Sequence, residues 1–122
     1  MNVLPGRVVV VAGVESTVGP IAAALHAAGA KVALVADAAT SRPDITVHFR
    51  ADPSSAAVWR RVSMHVEQHL GPVDAVVADS TAAANVRTVF ADDLRRRGHG
   101  DVVVVTPHDD PNDVVTKVAG TQ

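Results

Sequence analysis

The stretch VVVVAGVESTVGP, residues 8–20, decides the fold of this chain. Its four consecutive valines, Val8–Val11, predict a strand that is buried on both faces, as strands of parallel sheets are. A turn from Gly13 to Gly19 follows, and Pro20 then stands where the first position of a helix tolerates a missing N–H. The stretch therefore predicts a strand, a glycine turn and a helix, which is the opening unit of an α/β protein.

The same alternation continues along the rest of the 122 residues. Gly29 is a natural end for the first helix, and further apolar segments alternate with amphipathic ones. The predicted strands are Lys31–Ala36, Ile45–Phe49, Val73–Ala78 and Asp101–Thr106, and the predicted helices run from Ser54 or Ser55 to Leu70 and from Ala82 to Arg97. We expect one domain over residues 1–106, a doubly wound sheet of five parallel strands with helices on both faces.

Residues 107–122 form a tail behind the last predicted strand. Asp110 is a suitable cap, Pro111 suits a first helical position, and Val114, Val115 and Val118 make one apolar stripe. A short closing helix is expected here.

Composition and charge exclude several classes of protein. Thirteen acidic and eleven basic side chains give a net charge of −2, and Phe49, Trp59 and Phe90 are the chain's aromatic residues. A nucleic-acid binder usually needs a basic face and aromatic stacking platforms, so no nucleic-acid partner is expected. The absence of cysteine excludes disulfides and thiolate metal sites.

The longest apolar run, Val8–Val14, is far below the roughly 18 residues of a membrane span, and the early strand leaves no room for a signal peptide. We therefore expect a cytoplasmic protein with no membrane partner.

The glycine turn is the candidate binding site. Glycines let backbone N–H groups approach a pyrophosphate, and a helix N-terminus favours negative charge, so Gly13, Ser16, Thr17 and Gly19 are candidate cofactor-binding residues. Asp37 stands 18 positions beyond Gly19, the spacing of an acid that holds the ribose hydroxyls. It would repel a 2′-phosphate, which favours NAD(H) over NADP(H). The alternative is that the two glycines only make a tight turn between strand and helix.

These positions resemble the short-chain dehydrogenase/reductase family, whose turn has the pattern Thr-Gly-x-x-x-Gly-x-Gly. Gly13 and Gly19 match its first and last glycines, whereas Ala12 replaces the threonine and Thr17 the middle glycine. Asp52 lies near where the family places an adenine-contacting aspartate, which makes it a further candidate for cofactor binding.

Two more segments carry the likeness, Gly71-Pro72-Val73-Asp74 before the fourth strand and the stretch from Arg95 to Gly100 before the fifth. The resemblance covers about residues 5 to 106 and implies the N-terminal, dinucleotide-binding part of the family's fold, a Rossmann-like sheet with the strand order 3-2-1-4-5. NAD is the cofactor that it implies.

The departures from the family concern function directly. Thr17 puts a Cβ and a hydroxyl where backbone should approach the pyrophosphate, and Glu15 adds negative charge beside it. The family's Asn-Asn-Ala-Gly reads Ala78-Asp79-Ser80-Thr81 here. The family's chemistry needs a Tyr and a Lys, but this chain has no Tyr, and its lysines are Lys31 and Lys117. No catalytic residue is therefore predicted, and whether the chain is an enzyme stays open, with the balance against it.

The favoured interpretation is a degenerate, non-catalytic reductase-like module that acts through self-association or with a full-length reductase, with residual NAD binding left open. A small NAD(H)-binding or sensing domain and an oxidoreductase completed by a partner chain are the alternatives. A homodimer is expected through one helix, because its apolar stripe should be left partly uncovered. The stripe consists of Val86, Val89, Phe90 and Leu94.

Two histidines at helical spacing raise the question of a metal. His65 and His69 lie four positions apart with Glu67 between them. Two such histidines can share a metal ion, but Glu67 projects to another side and the order differs from that of zinc proteases. A solvated helix face explains the pattern more simply, and no metal site is predicted.

Overall fold

A parallel sheet forms the centre of the molecule. The computed structural model describes residues 3–36, 47–52, 54–98 and 100–122, and within them the sheet has five strands. They are β1 (Val8–Ala12), β2 (Lys31–Ala36), β3 (Val47–Arg50), β4 (Ala75–Ala78) and β5 (Val102–Val104). The order is β3-β2-β1-β4-β5 and every pairing is parallel, which confirms the predicted fold. The start predicted for the third strand, Ile45, lies outside the described residues.

Four helices cover the two faces of the sheet in the described part of the chain: α1 (Glu15–Ala27), α2 (Ala56–His69), α3 (Ala83–Arg97) and α4 (Pro111–Gly120). Alternate residues of β1 point to opposite faces. Val9 and Val11 therefore pack with α1 and α4, whereas Val8 and Val10 pack with α2 and α3. All five residues of β1 are buried, as its run of valines predicts.

The first helix begins earlier than predicted, at Glu15 rather than at Pro20. The carbonyl of Val14 accepts the N–H groups of Thr17 at 2.9 Å and Val18 at 3.0 Å, so the segment interpreted as a turn is already helical. Pro20 lies inside α1, where its missing N–H costs the helix one hydrogen bond near its beginning. The predicted end is correct, because Gly29 follows the helix with φ +97°.

The apolar stripe of α3 faces inward. Val86 and Phe90 are fully buried and Leu94 is 4% exposed, whereas Val89 is half-buried. Phe90 meets Trp59 of α2 edge to face, with ring centroids 6.0 Å apart. The uncovered stripe expected on this helix is thus reduced to Val89, because the sheet and α2 together cover the rest. The homodimer stays a prediction.

The tail helix α4 packs against α1, on the opposite side of the sheet from α3. Its N-cap, Asp110, accepts the N–H of Asn112 at 2.8 Å, and Pro111 is the first helical residue. Val114 and Val118 are fully buried. The tail helix therefore completes the layer that contains α1. It lies on the face opposite to the one where α3 packs against β4 and α2.

The outer edge of β5 carries two capped N–H groups. The side chain of Asp101 accepts the N–H of Val102 at 2.7 Å, and that of Asp109 accepts the N–H of Thr106 at 2.7 Å. Between them, Val104 is 42% exposed. One aspartate thus stands at each end of this short strand.

None of the helices in the described part of the chain is both long and apolar enough to cross a bilayer.

Candidate functional site

The carboxyl ends of β1 and β4 bring the glycine turn next to the segment that follows β4. Ala12 and Ala78 are register partners in the two parallel strands, so the residues after them, Gly13 and Asp79, are neighbours across the sheet. The N–H of Asp79 donates to the carbonyl of Ala12 at 3.1 Å, and the N–H of Gly13 donates to Val35 at 3.1 Å. This β1–α1 corner is where an open parallel sheet binds ligands.

The Asp79 carboxylate lies within the β1–α1 corner. It is 5% exposed and accepts three hydrogen bonds, from the N–H of Val14 at 2.7 Å and from the N–H and hydroxyl of Thr81 at 3.0 and 2.6 Å. Its backbone carbonyl accepts the N–H groups of Ala82 and Ala83, which start α3. A buried carboxylate is stable only when it is paired in this way. Asp79 therefore joins the end of β1, the start of α1 and the start of α3.

Gly13 is required by this carboxylate. Its φ is +149°, and a Cβ at this position would overlap the Asp79 side chain, coming within 2.6 Å of Oδ1. A real Cβ essentially never approaches a heavy atom this closely. The first glycine of the segment thus makes room for a side chain of the protein itself, whereas Gly19 lies within α1, so the tight turn consists of Gly13 and Val14 alone.

The residues of the corner do not fit a dinucleotide pyrophosphate. The N–H of Val14, which points into the corner, already donates to the Asp79 carboxylate. Thr17, half-buried at the position of the family's middle glycine, belongs to α1 and donates its N–H to Val14. The charges of Asp79 and Glu15 would oppose a phosphate group. Of the other candidates, Ser16 is exposed and Gly19 is buried within the helix.

The two candidate aspartates are not brought to this corner. Asp37 lies outside the described residues. Asp52 follows β3, two strands away from β1, and is exposed. The hydroxyl of Ser54 donates to the Asp52 carboxylate at 2.7 Å and the N–H of Ser54 at 2.9 Å, and these bonds hold the pKa of Asp52 below its ordinary value. Asp52 therefore serves the turn before α2.

The two lysines lie away from the corner. Lys31 opens β2 at the amino end of the strand and is exposed, and Lys117 lies on the exposed side of α4. His65 and His69 on α2 have ring centroids 4.3 Å apart. In the part of the chain that the structure describes, no group of three or more metal-ligating side chains comes together.

Sequence reasoning noted Asp79 only as a departure from the family's asparagine and missed its role. The available signal was an acid directly after the strand that neighbours β1. In the predicted order 3-2-1-4-5, the ends of β1 and β4 are adjacent, so Asp79 had to lie beside Gly13. Its three hydrogen bonds depend on side-chain geometry that the sequence does not display.

Solved structures similar to this chain include several dehydrogenases and reductases, one of them a short-chain dehydrogenase/reductase from Serratia marcescens. A C-terminal deletion mutant of the aldohexose dehydrogenase from Thermoplasma acidophilum matches 83% of this chain with a TM-score of 0.73 and 16% identity. The 2-keto-3-deoxy-D-gluconate dehydrogenase from Streptococcus agalactiae matches 84%, with a TM-score of 0.70 and 16% identity. The L-sorbose reductase from Gluconobacter frateurii, solved with NADPH and L-sorbose, matches 85%, with a TM-score of 0.67 and 18% identity.

The chain spans about half the length of these structures, namely 50%, 52% and 54% of them. Neither a protein-family model nor a curated protein matches its sequence. The likeness confirms the predicted resemblance at the level of the fold: the chain has the Rossmann architecture found in short-chain dehydrogenase/reductase structures.

Proposed function

We propose that this chain is a non-catalytic, reductase-like Rossmann module that acts through association, with a second copy of itself or with a full-length reductase. The observation that carries the proposal is the buried Asp79 carboxylate, which takes up the Val14 N–H at the corner where a dinucleotide would bind. The absence of tyrosine from the chain supports it further, since a Tyr hydroxyl is the acid and base that the family's chemistry requires.

We expect neither turnover nor a nucleotide-dependent gain in stability. The purified chain is assayed with NADH and NADPH against a panel of aldoses and ketoses, because the structural neighbours include sugar dehydrogenases. Its thermal unfolding is followed during titration with NAD(H), NADP(H), ATP and ADP-ribose. A ligand at 100 times its Kd would stabilise the folded state by about 2.7 kcal/mol, a shift that is easily seen.

A double variant, Thr17→Gly with Asp79→Asn, is the matched comparison. It removes the Cβ at the middle position and the negative charge at the corner, so nucleotide affinity should rise in this variant alone. A clear stabilisation of the unaltered chain by NAD(H) would contradict the closed corner and favour the alternative, a small NAD(H)-binding or sensing domain. Turnover by the pure chain would contradict the non-catalytic role.

Self-association has its own measurement, the molar mass from light scattering at micromolar concentration. We expect a dimer that Val89→Asp splits, because Val89 is the residue of the α3 stripe that stays half-exposed. Thr88→Asp is the control, since it places the same charge on an exposed neighbouring position of α3. A monomeric mass for the unaltered chain overturns self-association and leaves the full-length reductase as partner.

A further inference from the structure

We propose that the groove between β3 and α2 binds an extended, acidic segment of a partner protein, which adds to the sheet as a strand beside β3. This β3–α2 groove has a volume of about 550 Å³. Four consecutive residues, His48–Ala51, line one side, and one face of α2 with Val58, Arg61, Val62 and His65 lines the other. Nothing in the glycine corner contributes to it.

The strand side of the groove offers backbone hydrogen bonds. Among the described residues β3 pairs with β2 alone and forms one edge of the sheet. The N–H of Ala51 donates inward, to the carbonyl of Ala36 at 2.9 Å. Because successive residues of a strand turn their peptide groups to alternate edges, those of His48 and Arg50 face outward. An extended peptide pairs with such an edge, and its side chains enter the groove alongside.

The charge of the groove selects an acidic occupant. Arg50 and Arg61 are exposed. Among the residues that the structure describes, no acidic side chain lines the groove and neither arginine forms a salt bridge. A second hollow continues along α2, where Arg60, Arg61 and the 61%-exposed Met64 lie. The chain as a whole carries a net charge of −2, so this surface has the opposite sign from the molecule. Such segregation steers and orients an acidic partner.

The floor of the groove suits apolar side chains between the acidic ones. Phe49 is half-buried and meets the ring of His65 edge to face at 5.3 Å, and Val62 is 3% exposed. The buried Nε2 of His48 has no hydrogen-bond partner among the residues that the structure describes. A buried polar atom of this kind calls for a partner, which a peptide side chain or carbonyl would provide. Alternating acidic and apolar residues therefore match the groove.

This inference deepens the proposed function, since it names a partner chemistry for a chain that acts through association. A failure of the groove inference is distinguishable from a failure of the proposed function, because turnover, nucleotide binding and dimer mass are measured without any peptide.

The test is a selection of random octapeptides on the immobilised full chain. The enriched peptides are synthesised, and their affinity is measured by fluorescence anisotropy. We expect enrichment of Asp and Glu alternating with aliphatic residues, and chemical-shift changes at the amides of residues 48–51.

Arg50→Glu combined with Arg61→Glu should weaken binding at least tenfold, whereas Arg87→Glu, an exposed charge reversal on α3, should leave it unchanged. N-methylation of alternate peptide bonds should weaken binding to a similar extent.

Three results would overturn the proposal. One is the absence of any enriched acidic sequence. Another is binding that persists in the Arg50→Glu, Arg61→Glu variant. The third is a shift of the same amides by inorganic phosphate or AMP with no effect of the peptides, which would make the groove a small-anion site.

Discussion

Gly13→Ala is expected to lower the free energy of unfolding by about 3 kcal/mol or more, measured by urea denaturation followed by circular dichroism. The new Cβ would overlap the buried Asp79 carboxylate and displace it from Val14 and Thr81. Hydrogen bonds to a charged group contribute about 1.5–3 kcal/mol each, and the φ of +149° adds backbone strain. Since small domains have about 5–15 kcal/mol in total, much of the stability would be lost.

Gly71→Ala is the matched control for Gly13→Ala. Gly71 has φ +102°, but a Cβ there would meet no atom within 4 Å, so its cost isolates the backbone strain. The double variant Gly13→Ala, Asp79→Ala should cost less than the sum of the two single variants, because the new Cβ no longer overlaps a carboxylate and the hydrogen bonds of Asp79 are lost only once. Equal costs at Gly13 and Gly71 would show that Asp79 does not occupy the space beside Gly13.

Phe90→Ala is expected to cost about 3–5 kcal/mol of stability, measured by the same denaturation experiment. The ring is fully buried between the sheet and α2, and it meets Trp59 edge to face. Its removal leaves a cavity that the neighbouring Val86 and Leu94, both already packed, cannot fill. Phe90→Asp is expected to prevent folding altogether, because it buries an unpaired charge in this position.

Val89→Ala provides the comparison on the same helix. Val89 is half-buried, so its truncation should cost about 1 kcal/mol or less. Similar losses of stability in Phe90→Ala and Val89→Ala would mean that α3 presents a different face to the sheet. The uncovered stripe expected from the sequence would then be correct.

The sheet could be predicted because its signals are local. The valine run of β1 and the regular alternation of apolar and amphipathic segments indicate a parallel sheet covered by helices, and the family resemblance adds the order of its strands. The start of α1 could not be predicted, since Pro20 is the residue that usually marks a first helical position. In the structure, the carbonyl of Val14 accepts the N–H groups of Thr17 and Val18 while its own N–H donates to Asp79, a residue 65 positions away.

The packing of α3 and the state of the candidate site depend on contacts between distant residues. The stripe around Phe90 has the same periodicity whether it faces a neighbouring chain or its own sheet. Trp59, 31 positions earlier, supplies the surface that covers it. Likewise, the glycines at positions 13 and 19 have the spacing of a phosphate-binding turn. Only the structure shows that the Asp79 side chain occupies the space beside Gly13.

The two aspartates that flank β5 affect how the molecule behaves among its own copies. An unprotected edge strand of three valines is a template on which further chains stack, the first step towards a fibril. Asp101 and Asp109 already hold the N–H groups of Val102 and Thr106, so an incoming strand would have to break both bonds and approach two negative charges. This sheet thus carries its own protection against aggregation in the few residues around its most apolar edge.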